Sequence, residues 1–143
     1  IIVFSPGPGD PSHYPETQKI YHQYKCVKKI IGICLGFQQI LYAEKGQIIA
    51  QKRIFHGYQS RIKVLNGSSL FKPNKILLGG RYHSLKLKEP FYNKNLKITM
   101  RCAETNVAMA IEDTINNVYG FQFHPDSFLT VDGKFLIQKV LQA

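Results

Sequence analysis

Ile30-Ile31-Gly32-Ile33-Cys34-Leu35-Gly36-Phe37-Gln38 is the stretch that decides the fold. The segment from Cys26 to Ile33 is rich in β-branched residues and reads as a buried strand. Leu35 to Lys45 reads as a helix, and Gly46 is a natural stop. A strand thus enters a helix across one cysteine held between two glycines. Upstream, Ile1 to Phe4 is a second short apolar run, ended by Ser5-Pro6-Gly7-Pro8-Gly9-Asp10-Pro11. Glu16 to Tyr24 has helical character, with Pro15 just inside its start. Strand, helix, strand, helix is a βαβ unit, so the fold class is α/β: an open, mostly parallel sheet with flanking helices.

The later sequence is more β-like. Gln47 to Lys52 and Arg61 to Leu65 are predicted strands, and Leu77 to Leu87 carries a Gly79-Gly80 break. Leu96, Ile98, Met100 and Cys102 alternate with other residues, the period of a half-buried strand. Val107 to Ile111 and Val118 to Phe123 flank Asn116-Asn117 and predict a hairpin. Lys134 to Gln142 closes the chain as an amphipathic helix.

The chain has 143 residues, the size of one domain. Hydrophobic residues are 44% and charged residues 20%, which excludes disorder as the main state. No apolar run approaches the ~20 residues of a membrane helix, so no membrane partner is expected. Lys and Arg number 19 against 9 Asp and Glu, a net charge of +10. These cations are scattered, without a basic run or interleaved aromatics, so nucleic acid is not the expected partner. The three cysteines, Cys26, Cys34 and Cys102, show no paired spacing, so neither a disulfide framework nor a metal site is expected. A reducing, cytoplasmic setting follows, and Cys26 and Cys102 read as small buried hydrophobes.

Three loops each follow a predicted strand: Ser5–Pro11, Gly32–Gln38 and His124–Ser127. In open α/β sheets ligands bind beyond the carboxyl ends of the strands, so the three loops define one candidate site. Gly32-Ile33-Cys34-Leu35-Gly36 has the form of a nucleophile elbow with sulfur in place of oxygen. Placed at a helix N-terminus, Cys34 is expected to be favoured as thiolate. A cysteine nucleophile needs a base, and His124 is the candidate, with Asp126 to orient it. His83 is the nearest rival. Gly7 and Gly9, with the amide of Leu35, would donate to an oxyanion. The same loop would also suit a phosphate, although it lacks the Gly-Lys-[Ser/Thr] ending of a P-loop.

Ser5-Pro6-Gly7-Pro8-Gly9, Gly32–Gln38, Tyr82-His83-Ser84-Leu85 and Gly120–Ser127 together resemble the motifs of class I glutamine amidotransferases. The likeness is greatest to the branch of anthranilate synthase component II and the aminodeoxychorismate synthase glutaminase subunit. It implies a flavodoxin-like fold and a Cys-His-acid triad of Cys34, His124 and Asp126, with Cys34 forming a glutamyl thioester. It implies glutamine contacts from Gly7, Pro8, Gly9, Gln38, Ser84 and Leu85, and no cofactor in this subunit. The partner it implies is a chorismate-binding synthase large subunit that receives the ammonia. Three positions depart from the family pattern: Asp126 stands for the usual Glu, Phe37 for a His, and Tyr58 for a Lys. A catalytically degraded partner-binding subunit is therefore the competing reading. The family pattern also places a strand, a helix and a strand before Ile1, so residues 1–143 are expected to be an N-terminally incomplete amidotransferase domain.

Overall fold

Apart from one short 3-10 turn at Pro11–His13, the regular elements of residues 1–143 of the computed structural model are nine strands and three α-helices. In chain order they are β1 (Ile2–Phe4), α1 (Pro15–Tyr24), β2 (Ile30–Ile33), α2 (Leu35–Ala43), β3 (Ile48–Ala50), β4 (Tyr58–Val64), β5 (Ile76–Arg81), β6 (Leu85–Leu87), β7 (Lys97–Cys102), β8 (Ala108–Asp113), β9 (Val118–Phe121) and α3 (Gly133–Gln142). Seven strands form one sheet in the order β1-β2-β9-β8-β7-β4-β5, and β3 and β6 form a small antiparallel ribbon.

The α/β architecture is the expected one, with an open sheet between helices. Its parallel part is confined to β1, β2 and β9, and every junction beyond β9 is antiparallel. Connection length explains this. A parallel return needs a dozen or more residues, and β8 reaches β9 through only Thr114 to Asn117. The sheet is therefore mixed.

β8 and β9 are buried at every position, and the apolar residues of β8 (Ala108–Ile111) and of β9 run on without alternation before β8 ends in Glu112 and Asp113. Ile30, Val118 and Ile111 pack with Tyr21, Phe37, Ile40 and Leu41 of α1 and α2. Ile31, Tyr119 and Phe121 pack on the opposite side with Leu136 and Val140 of α3. Phe37 is wholly buried in the first of these layers. The Lys29 ammonium donates to the carbonyls of Val140, Leu141 and Ala143 and so closes the carboxyl end of α3.

Two local expectations are corrected. Gly79 and Gly80 do not break the strand: β5 runs through both. A side chain at Gly80 would meet Ser127 Oγ at 2.7 Å, so the missing Cβ admits the loop after β9 against the sheet. Cys26 is exposed, with its thiol donating to Asn116 Oδ1 at 3.3 Å, whereas Cys102 is buried as expected.

Candidate active site

Ile33 pairs with Phe121 in parallel register, and the Cys34 amide donates to the Phe121 carbonyl at 2.8 Å. This register places the elbow of β2 and the loop after β9 at the same end of two neighbouring strands. Cys34 sits at the N-cap of α2 with φ 54° and ψ −102°. Such a backbone is strained for any residue with a Cβ and needs its surroundings to hold it. The glycines on either side supply the room. A Cβ at Gly36 would lie 2.1 Å from the Phe4 carbonyl oxygen, and one at Gly32 would lie 2.5 Å from the Gly36 carbonyl.

A cavity of about 170 Å³ opens beside Cys34. Gly7, Pro8 and Gly9 form one wall, Cys34, Leu35 and Gln38 the floor, and Tyr82, His83, Ser84 and Leu85 the other wall. All the residues expected to contact glutamine therefore line one space. The Pro-Gly loop is braced: the Tyr14 hydroxyl donates to the Pro8 carbonyl at 2.6 Å, and the Asp10 carboxylate accepts from the Ser12 amide. Gln38 is buried, and its amide donates to Gln122 Oε1 at 3.0 Å and to the Leu85 carbonyl at 3.4 Å. The Leu35 amide hydrogen-bonds the Cys34 sulfur and favours its anionic form.

Burial outweighs that amide and pushes the Cys34 thiol up to about 11, with the Asp126 charge acting in the same direction. The expected resting thiolate is thus corrected to a neutral thiol, because desolvation exceeds what a helix N-terminus returns. Burial likewise lowers His124 below its usual value, against the opposing pull of Asp126. Both shifts favour the uncharged form, of the thiol and of the imidazole.

His124 does not line the cavity. It lies behind Tyr82, ring against ring at 4.9 Å and edge to face. Its backbone is fixed on both sides: the His124 amide donates to the Gly80 carbonyl, and the Thr130 hydroxyl donates to the His124 carbonyl. Nδ1 faces Asp126 Oδ1 at 3.5 Å, whereas Nε2 is buried and holds no hydrogen bond. A proton on Nδ1 leaves the Nε2 lone pair free, as a base requires. The Asp126 carboxyl is 67% exposed, so its hold on the ring is long and wet.

His83, the rival base of the sequence reading, is tied up by its own hydrogen bonds. Both ring nitrogens are engaged, by Arg81 and by Leu85, and burial lowers it to about 4. Because this value lies below the ordinary 6.5, the folded chain binds fewer protons than the unfolded one between the two. Stability is full above about pH 6.5 and is expected to fall by about 3 kcal/mol as the pH drops towards 4. Urea midpoints measured across that range check it; a flat profile would contradict the burial of a neutral ring.

Arg81, Tyr82, Gln122 and Thr130 belong to the site's frame, and sequence reading had not singled them out. Tyr82 stands beside His83 in the quoted motif and Arg81 just before it, and Gln122 follows the end of β9 within the quoted Gly120–Ser127 segment. Thr130 carried no signal, because its role depends on the fold-back of the loop after β9.

The model of the glutamine amidotransferase class-I family matches residues 1–143, the whole chain. The chain belongs to the class I glutamine amidotransferases. Among relatives, anthranilate synthase component 2 of Lactococcus lactis is 35% identical over 139 residues, 96% of this chain and 70% of its own length. Its counterpart in Methanocaldococcus jannaschii is 40% identical over 131 residues, 90% of this chain and 64% of its own. A bifunctional TrpGD protein of Thermotoga maritima is 38% identical over 98% of this chain, which spans 24% of that protein. Among solved structures, a GMP synthase subunit from Thermoplasma acidophilum has a TM-score of 0.79 at 18% identity, over 98% of this chain and 70% of its own. A glutamine amidotransferase from Thermotoga maritima has a TM-score of 0.71 at 17% identity, over 98% and 60%. These two share the amidotransferase fold.

Proposed function

We propose that this amidotransferase domain hydrolyses glutamine through Cys34, His124 and Asp126 and passes the ammonia to a chorismate-using synthase subunit. The observation that carries the reading is Cys34 on a strained elbow at the floor of a small cavity, one strand from His124. The side-chain amide of glutamine would enter the cavity between the Pro-Gly loop and the Ser84–Leu85 wall. His124 Nε2 removes the thiol proton as sulfur attacks the amide carbon. The oxyanion is held by amides of Leu35 and the Gly7–Gly9 loop. The imidazolium then protonates the departing nitrogen, leaving ammonia and a glutamyl thioester. Water, deprotonated by the same imidazole, releases glutamate and returns the proton to sulfur. A thiol at about 11 and a lowered imidazole make proton transfer part of the attack rather than a preceding step.

The relatives named anthranilate synthase component 2 support the chorismate branch. The partner would be the synthase large subunit, and its product distinguishes anthranilate from aminodeoxychorismate synthesis. The test is glutamate release, followed by glutamine-dependent product formation from chorismate with each purified synthase subunit. Absence of glutamate with either partner would overturn the reading.

The reach of Asp126 favours a second reading, a partner-binding subunit with impaired turnover. Its carboxyl is 3.5 Å from Nδ1 and mostly exposed. Asp126→Glu adds one methylene and is expected to raise kcat/KM about tenfold, equivalent to ~1.4 kcal/mol of better-stabilised imidazolium. Steady-state glutaminase kinetics check this, and an unchanged value would mean that Asp126 already suffices.

A further inference from the structure

We infer that His83, held in one tautomer between Arg81 and Leu85, is the positioning residue that sets the Ser84–Leu85 wall of the cavity. The inference rests on the glutaminase reading for its substrate but on geometry for its mechanism. Arg81 Nε donates to His83 Nε2 at 3.0 Å. A guanidinium only donates, so Nε2 must accept and the ring proton must sit on Nδ1. Nδ1 in turn lies 2.8 Å from the Leu85 carbonyl, which can only accept. Gln51 Nε2 also approaches Nδ1, at 3.3 Å, but it is a donor and already donates to the His83 carbonyl at 2.6 Å. The arrangement that satisfies every partner is Arg81 Nε–H to Nε2, and Nδ1–H to Leu85.

The surroundings reinforce this choice. Arg81 is wholly buried and has no carboxylate partner; its guanidinium lies 3.5 Å over the Phe55 ring and reaches Ser60 and Cys102. The His83 ring stacks on the same Phe55 at 6.0 Å. A second cation on His83 would face that guanidinium in a dry site, with His124 also nearby. The ring is therefore a neutral, rigid strut. It joins the end of β5, which carries Arg81, to the start of β6, which carries Leu85. The other hydrogen bond to the Leu85 carbonyl is the 3.4 Å contact from Gln38, itself a floor residue of the cavity. Loss of the Nδ1–H bond would release the wall while leaving Cys34 and its elbow in place.

The test uses the full chain and three substitutions, His83→Asn, His83→Gln and His83→Leu. An asparagine amide occupies the Nδ1 position and can donate to Leu85; glutamine reaches the Nε2 position and cannot. Glutamine affinity is read by calorimetry in a Cys34→Ser background, so that turnover does not enter. His83→Asn is expected to stay within about threefold of the parent, and His83→Gln and His83→Leu to weaken binding tenfold or more. Alkylation of Cys34 by iodoacetamide at pH 9 is expected to be unchanged in all three. Nitrogen-15 spectra of labelled histidine are expected to show His83 as the neutral Nδ1–H form from pH 8 to 6. Equal affinity in all three variants, or an Nε2–H or charged ring in that range, would overturn the inference. Inactivity of the parent chain with a synthase partner would overturn the glutaminase reading alone, because the spectra decide the strut independently.

Discussion

Replacing Cys34 with serine is expected to abolish glutamine hydrolysis, lowering kcat by about 10⁴-fold or more, while the melting temperature stays within a few degrees of the parent. Sulfur and oxygen differ little in size, and the side chain is a small group on the cavity floor. The strained backbone is held by neighbours that the substitution does not touch: the Phe121 carbonyl, Gly32 and Gly36. The chemical loss is large because a serine hydroxyl is a far weaker acid and a poorer nucleophile than a thiol, and the imidazole here has only a long, exposed contact with Asp126 to support its charge. Glutamate release measured with and without the synthase partner checks the result. Hydrolysis persisting at the parental rate would remove Cys34 from the nucleophile's role.

Gly36→Ala is expected to do comparable damage by a different route. The added methyl would start 2.1 Å from the carbonyl oxygen of Phe4, well inside contact distance. Neither partner can rotate away, because both are backbone: Phe4 is tied into β1 beside β2, and Gly36 lies in the first turn of α2. Either α2 moves off the sheet or β1 peels from β2. A loss of about 3 kcal/mol or more is expected, the upper range for overpacking. Urea unfolding measures it, and glutaminase activity should fall with it, because α2 carries Leu35 and Gln38 as well as the elbow. A variant of parental stability would show that β1 and α2 are not pressed together at this point.

Much of this was legible in the sequence, for reasons particular to each element. The β2–α2 junction was readable because a glycine-flanked cysteine has few other uses between an apolar strand and a helix. The cavity wall at Ser84–Leu85 and the Pro-Gly loop followed from motif order. Of the antiparallel half of the sheet, the β8–β9 hairpin was read from the two apolar runs around Asn116-Asn117, whereas the pairing of β7, β4 and β5 was not inferred. The link from β7 to β8, only Ala103 to Val107, also implies an antiparallel pair, but the βαβ start had set the expectation of a mostly parallel sheet. The Gly79-Gly80 pair was misread as a break, because the loop that packs on Gly80 comes from Ser127 and Leu129, far along the chain. The state of Cys34 was misread for a similar reason. Helix position is local and visible, whereas desolvation depends on what the whole fold places around the sulfur.

That neutral sulfur has a consequence for the idle protein. At pH 7 a thiol near 11 is ionised in about one molecule in ten thousand, and peroxide and electrophiles attack the ionised form. On the proposed mechanism, a nucleophile kept protonated between turnovers is shielded from the oxidation that attacks thiolates. On the same mechanism its reactivity is released only when an amide fills the cavity and the proton has somewhere to go.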